Sequence, residues 1–184
     1  MKKQFMKYLN DYENLEPSIN IVPDSDFDYQ LLDGNITFSQ YKEEEISEVV
    51  EIIFSIFNSY EAEEFWDMAD SISGDFEFVA STYNDYCTDI TETGSIAIID
   101  NFIFHSPIEE LGEKLHLISV CLKALNNIFR ILGIDRIVFM TKSIIMDLKI
   151  QDRRSLVNEV LKMGYIPIYQ DKNDVVVAKN LNYL

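Results

Sequence analysis

The chain has 184 residues, is 47% hydrophobic, and carries 32 Asp and Glu against 15 Lys and Arg, a formal net charge of −17 at neutral pH. That length and apolar content predict one domain with a buried core, and the 12 Phe and 10 Tyr exclude a disordered acidic tail. The charge is lopsided, because residues 1–92 hold 22 of the 32 acids and 4 of the 15 bases, and such a one-signed field repels nucleic acid and acidic membranes while speeding encounter with basic partners.

The basic start, Met1 to Lys7, is followed by Tyr8, Asn10 and Asp11 and not by an apolar signal segment. No run approaches the roughly 18 apolar residues of a membrane span. A cytoplasmic protein is expected, with Cys87 and Cys121 as free thiols. Phe5, Met6, Tyr8 and Leu9 predict a helix over 2–13, and Pro17 and Pro23 make 14–33 read as an irregular lead-in. Asp33-Gly34 then introduces a strand over 35–41, in which Ile36 and Phe38 alternate with polar residues.

From Glu43 to Phe57 the apolar residues Ile46, Val49, Val50, Ile53, Phe54 and Phe57 fall at helical spacing, opposite Glu44, Glu48 and Glu51. A second acidic helix is predicted over 60–71, with Phe65 and Trp66 on its core side. Phe76, Phe78 and Ala80 predict a strand through Thr82, and Tyr83 to Asp89 a turn-rich connector ending at Thr93-Gly94. Residues 95–104 are too continuously apolar for an edge strand. A long helix to Leu132, a strand over 134–141, a helix over 152–163 and a hairpin of 165–170 with 175–179 follow. The predicted order β-α-α-β-β-α-β-α-β-β describes an α/β fold, a mixed sheet with helices packed on it. It forms one domain over 1–184, divided into a lead-in (1–33), an acidic half (34–92) and a second half (93–184).

The second half has a recognisable pattern. Ile103-Phe104-His105-Ser106-Pro107 ends the central strand, Gly133-Ile134-Asp135-Arg136-Ile137-Val138 turns a long helix into a strand, and Leu161-Lys162-Met163-Gly164-Tyr165 closes a helix and opens the last hairpin. Over residues 94–181 this resembles the GNAT-type N-acetyltransferase fold, a single domain with a central mixed β-sheet flanked by helices. The resemblance implies an acetyl-CoA pyrophosphate held on backbone N–H groups at a helix start, in a loop of the type Arg/Gln-x-x-Gly-x-Gly/Ala. Here that stretch reads Ile108-Glu109-Glu110-Leu111-Gly112-Glu113-Lys114, so Glu110, Gly112, Glu113 and Lys114 form a degenerate loop with glutamates where a polyanion would dock. The resemblance also implies a tyrosine acid four residues before the Gly-aromatic pair, and Val160 stands there. No catalytic residue and no cofactor are therefore expected. The alternative is an active, divergent acyltransferase using acetyl-CoA on a basic amine.

Asp24-Ser25-Asp26-Phe27-Asp28 opens like a calcium loop, but Tyr29 and Asn35 occupy the positions that need glycine and glutamate. His105 and His116 have no metal-binding neighbours in sequence, so no metal is expected. Residues 61–92 hold ten carboxylates and no base. Glu61, Glu64, Asp67, Asp85, Asp89 and Glu92, with Tyr83 and Tyr86 as aromatic anchors, are the candidate partner-binding residues. The function expected is a non-catalytic acidic inhibitor that occludes a basic partner. An immunity protein for a nuclease-type toxin, or a phage inhibitor imitating the charge of nucleic acid, would fit.

Overall fold

A computed structural model describes residues 14–42, 45–58, 62–87, 94–144, 150–172 and 174–182. The helix expected over 2–13 lies outside them, as do Glu61, Asp89 and Glu92. The described residues form a seven-stranded sheet: β1 (Leu15–Asp24), β2 (Asp28–Lys42), β3 (Glu45–Phe57), β4 (Ile96–Phe104), β5 (Arg136–Met140), β6 (Ile166–Gln170) and β7 (Val175–Asn180). The spatial order is β1-β2-β3-β4-β5-β7-β6, antiparallel throughout except for the parallel pair β4–β5. Five helices pack on it: α1 (Ala62–Ile72), α2 (Gly74–Tyr86), α3 (Leu111–Ile131), the single turn α4 (Thr141–Ile144) and α5 (Ile150–Lys162).

The second half follows the element order that the GNAT resemblance implies, and the whole is a mixed α/β sheet flanked by helices. The first half differs from expectation in five ways. The lead-in is strand β1 and the start of β2, paired from Leu15↔Gln40 to Pro23↔Leu32. Pro17 and Pro23 are tolerated because β1 is an edge strand of the sheet. The connecting turn is the calcium-like segment, where Asp26 N donates to Asp24 Oδ1 at 2.8 Å. Asp33-Gly34 lies inside β2 and is no turn. Gly34 faces Phe54 on β3, and a Cβ at this glycine would stand 2.4 Å from the Phe54 ring.

The helix expected from Glu43 is strand β3. Its core side is Val50, Ile52, Phe54 and Ile56, a period of two built largely from β-branched residues, while Ile46 is exposed and Ile53 half-buried. The strand expected at 76–82 is instead helix α2. Ser73 caps it, its Oγ accepting from Phe76 N at 3.3 Å, and the buried set Phe76, Val79, Ala80 and Tyr83 has helical spacing. Finally, the helical pair enters between β3 and β4, not after the first strand.

The sheet is buried on both sides at its centre. On one face α3 and α5 bring Leu117, Cys121, Leu125, Phe129, Leu156 and Val160 against Phe38, Ile52, Phe54, Ala97, Ile99, Ile137 and Phe139. On the other, α1 and α2 bring Phe65, Met68, Phe76 and Val79 against Phe57, Ile96, Ile98, Val138 and Met140. The alternation of Ile96 and Ile98 with Ala97 and Ile99 between the two clusters explains why β4 reads as uninterrupted apolar sequence. Each fully buried Ile or Phe here contributes about 1.5–3 kcal/mol relative to exposure.

Candidate functional site

Helices α1 and α2 form a tight hairpin on one face of the sheet, linked through Ser73. Phe65, in the first turns of α1, meets Tyr83, near the end of α2, edge to face at 6.3 Å, so the helices run antiparallel. Glu64 and Asp67 on α1 are thereby brought to the same end of the hairpin as Asp85 and Tyr86 on α2, and all four are exposed. Glu63 and Asp70 add to the exposed acid of α1, and neither helix carries a base. Lys142 of α4 reaches across to Asp75 at the start of α2, Nζ to Oδ1 2.9 Å.

The aromatic anchors are redistributed. Tyr83 is 3% exposed and belongs to the core, which removes it from the partner-binding set, and the turn-rich connector that was to carry it is helical as far as Tyr86. The helical period hides Tyr83 with Phe76 and Val79, whereas Tyr86, 48% exposed, stays outside. Phe65 is a core residue as expected, but Trp66 is 37% exposed and stands among the carboxylates of α1.

At the start of α3, Glu110 occupies the N-cap with no side-chain capping bond, and Lys114 N donates to its carbonyl at 3.1 Å. Glu109, Glu110 and Gly112 are exposed, Glu113 half-buried. Lys114 turns toward β4, its Nζ 4.8 Å from the centre of the Phe104 ring, in cation–π contact. A Cβ at Gly112 would meet nothing within 4 Å, so no neighbour in the chain requires glycine there. Val160 is fully buried. The adjacent Tyr165 donates its hydroxyl to Asn126 Oδ1 at 2.6 Å inside the core, and burial drives that phenol far above its ordinary pKa. His105 is tied to β3, its Nε2 3.7 Å from Glu48 Oε2 and its backbone N–H donating to Val49 O.

The sheet also opens a cleft that the sequence reading missed. The parallel strands β4 and β5 pair only from Ile96↔Arg136 to Ile98↔Val138 and then part. Just beyond, the β3–β4 register slips, with Phe54 opposite Ile99 and Ile53 opposite Asn101, so Asp100 is the extra residue of a β-bulge. Asp100, Asn101, Asp75, Lys142, Ser143 and Arg153 line a cleft of about 350 Å³. Asp100 itself stands exposed, and partial desolvation at the cleft wall, with secondarily the nearby Asp75, raises its pKa above the ordinary carboxylate value. Asp174 holds the wall, its Oδ1 accepting from Thr141 Oγ1 and Lys142 N, each at 3.1 Å. The available sequence signal was Asp100-Asn101, a polar pair interrupting an otherwise apolar strand. Among the described residues no cluster of His, Cys, Asp and Glu could hold a metal, and no helix is long and apolar enough to cross a membrane.

The chain matches no protein-family profile and no curated protein. Solved structures similar to it include a mutant of agmatine N-acetyltransferase in its apo form, 12% identical over 82% of this chain and 74% of that one, with a TM-score of 0.47. A Staphylococcus aureus Mu50 protein provisionally described as an acetyltransferase is 10% identical over 79% and 72%, TM-score 0.41. The KacTA–DNA complex is 9% identical over 90% and 94%, TM-score 0.41. At these values the likenesses say nothing of this chain's activity, substrate or partner, and its fold is described by its own strand order.

Proposed function

We propose that this chain is a non-catalytic acidic binding protein that covers a basic, nucleic-acid-binding surface of a partner protein, as an immunity protein or an inhibitor imitating phosphate charge would. The observation that carries this is the α1–α2 hairpin. Glu63, Glu64, Asp67, Asp70 and Asp85 stand exposed beside Trp66 and Tyr86, on two helices without a base. Charge steers an encounter and exposed aromatics hold it. The degenerate loop supports the non-catalytic half of the reading, because Glu109, Glu110 and Glu113 oppose a pyrophosphate at the α3 start. No tyrosine stands where the family's acid would be, and Tyr165 is spent on Asn126.

A second reading, an acyltransferase acting on an amine, is favoured by one observation: the cleft where β4 and β5 part beside the bulged Asp100. Calorimetric titration with acetyl-CoA separates the two. The first reading predicts no binding, and a dissociation constant in the low micromolar range overturns it in favour of the second.

A further inference from the structure

The sheet ends at β6, and α2 lies along its flank. Phe78 of α2 meets Tyr169 of β6 edge to face at 5.2 Å, yet each remains 37% exposed. Further along the same seam, Tyr86 and Ile166, both exposed, border a pocket of about 190 Å³. Three aromatic rings and an isoleucine therefore form an apolar strip between a helix and an edge strand. The helix beside it contributes Glu77 and Asp85 and no base, Asp75 being paired with Lys142.

We propose that this α2–β6 seam is the docking strip of the partner, and that the partner presents an apolar ridge flanked by arginines or lysines. The proposal rests on the basic-partner reading above and names where its contact energy lies. The carboxylates of α2 select the flanking cations. The rings and Ile166 supply the desolvated area that charge alone does not provide. The ridge is apolar at the Tyr86 end, because Arg136 lines the pocket there and repels a cation, while the Lys179 ammonium is turned away to Met163 O. Docking is by side chains and not by strand addition. Pro167 removes one N–H from the outer strand, and the register slip between Pro167 and Tyr169 breaks the ladder a further strand would need. A second copy of this chain is a poor occupant, since each carries a net charge of −17.

The test uses the full chain and two synthetic peptides of equal length and charge, arginine alternating with leucine in one and with serine in the other. The strip predicts that the arginine–leucine peptide binds about tenfold tighter. In the double variant Phe78→Gln, Tyr169→Ser the two affinities converge. Phe78→Gln alone, which keeps a good helix former in α2, gives a partial loss and guards against misfolding of the double variant, with circular dichroism as the check. Equal affinity of the two peptides for the unmodified chain overturns the strip while leaving the charge reading standing. Failure of both peptides to bind overturns both. Dimerisation in sedimentation, lost in the double variant, would assign the strip to a second copy and equally overturn the proposal.

Discussion

Two residues concentrate the chain's local physics. Gly34 is where β2 admits the Phe54 ring, which in turn packs edge to face on Phe129 of α3 at 4.8 Å. Gly34→Ala forces that ring out of its site and is expected to cost about 2 kcal/mol, read as a lowered thermal midpoint. Adding Phe54→Leu should recover part of the loss of the glycine variant, because the overlapping ring is gone. The second is Asp100, whose carboxyl pKa is raised by partial desolvation and by Asp75. A carboxylate whose pKa is raised in the folded state destabilises the fold when ionised, so the penalty is absent below the ordinary carboxylate pKa of about 4, grows as pH rises from there to the folded value, and is complete above it. Asp100→Asn should therefore raise the melting temperature at neutral pH, and the gain should shrink as pH falls below the folded value toward about 4. A gain independent of pH would mean that the carboxyl is not the source of the strain.

At the scale of elements, α2 depends on its cap: Ser73→Ala should remove the bond to Phe76 N and cost about 1 kcal/mol, measured by chemical denaturation. The same helix shows what could be read from sequence. Phe76, Phe78 and Ala80 satisfy a period of two, and Phe76, Val79, Ala80 and Tyr83 a helical period. Only the capping serine and the neighbouring α1 decide between them. β3 fails in the opposite sense, because Val50 and Phe54 fit both periods and the flanking glutamates suit a helix start as well as the solvent face of a strand. In the second half no such ambiguity arises. β4 and β5 are buried on both faces and read as solid apolar runs, and Gly133, at a φ of 78°, ends α3 in a conformation glycine favours. The cleft stayed hidden because it comes from a bulge and from the parting of two strands, which leave no composition signal beyond Asp100-Asn101. Of the expected partner-binding residues, Glu64, Asp67, Asp85 and Tyr86 are gathered on one hairpin, and Tyr83 is lost to the core.

At the scale of the molecule, the described acid of the first half stands on the α1–α2 hairpin and on β1 to β3, while most of the chain's bases belong to the second half of the sequence. Self-repulsion of this kind is relieved by screening, so added salt should raise the thermal midpoint even as it weakens partner binding. The central claim is that the hairpin acid captures a basic partner. Its most direct test is the association rate of the chain with the arginine–serine peptide as ionic strength is raised, compared with a variant carrying Glu63→Gln, Glu64→Gln, Asp67→Asn and Asp85→Asn. The account predicts a rate that falls steeply with salt for the unmodified chain, and a slower, flatter dependence for the variant. Rates indifferent both to salt and to these four substitutions would contradict it.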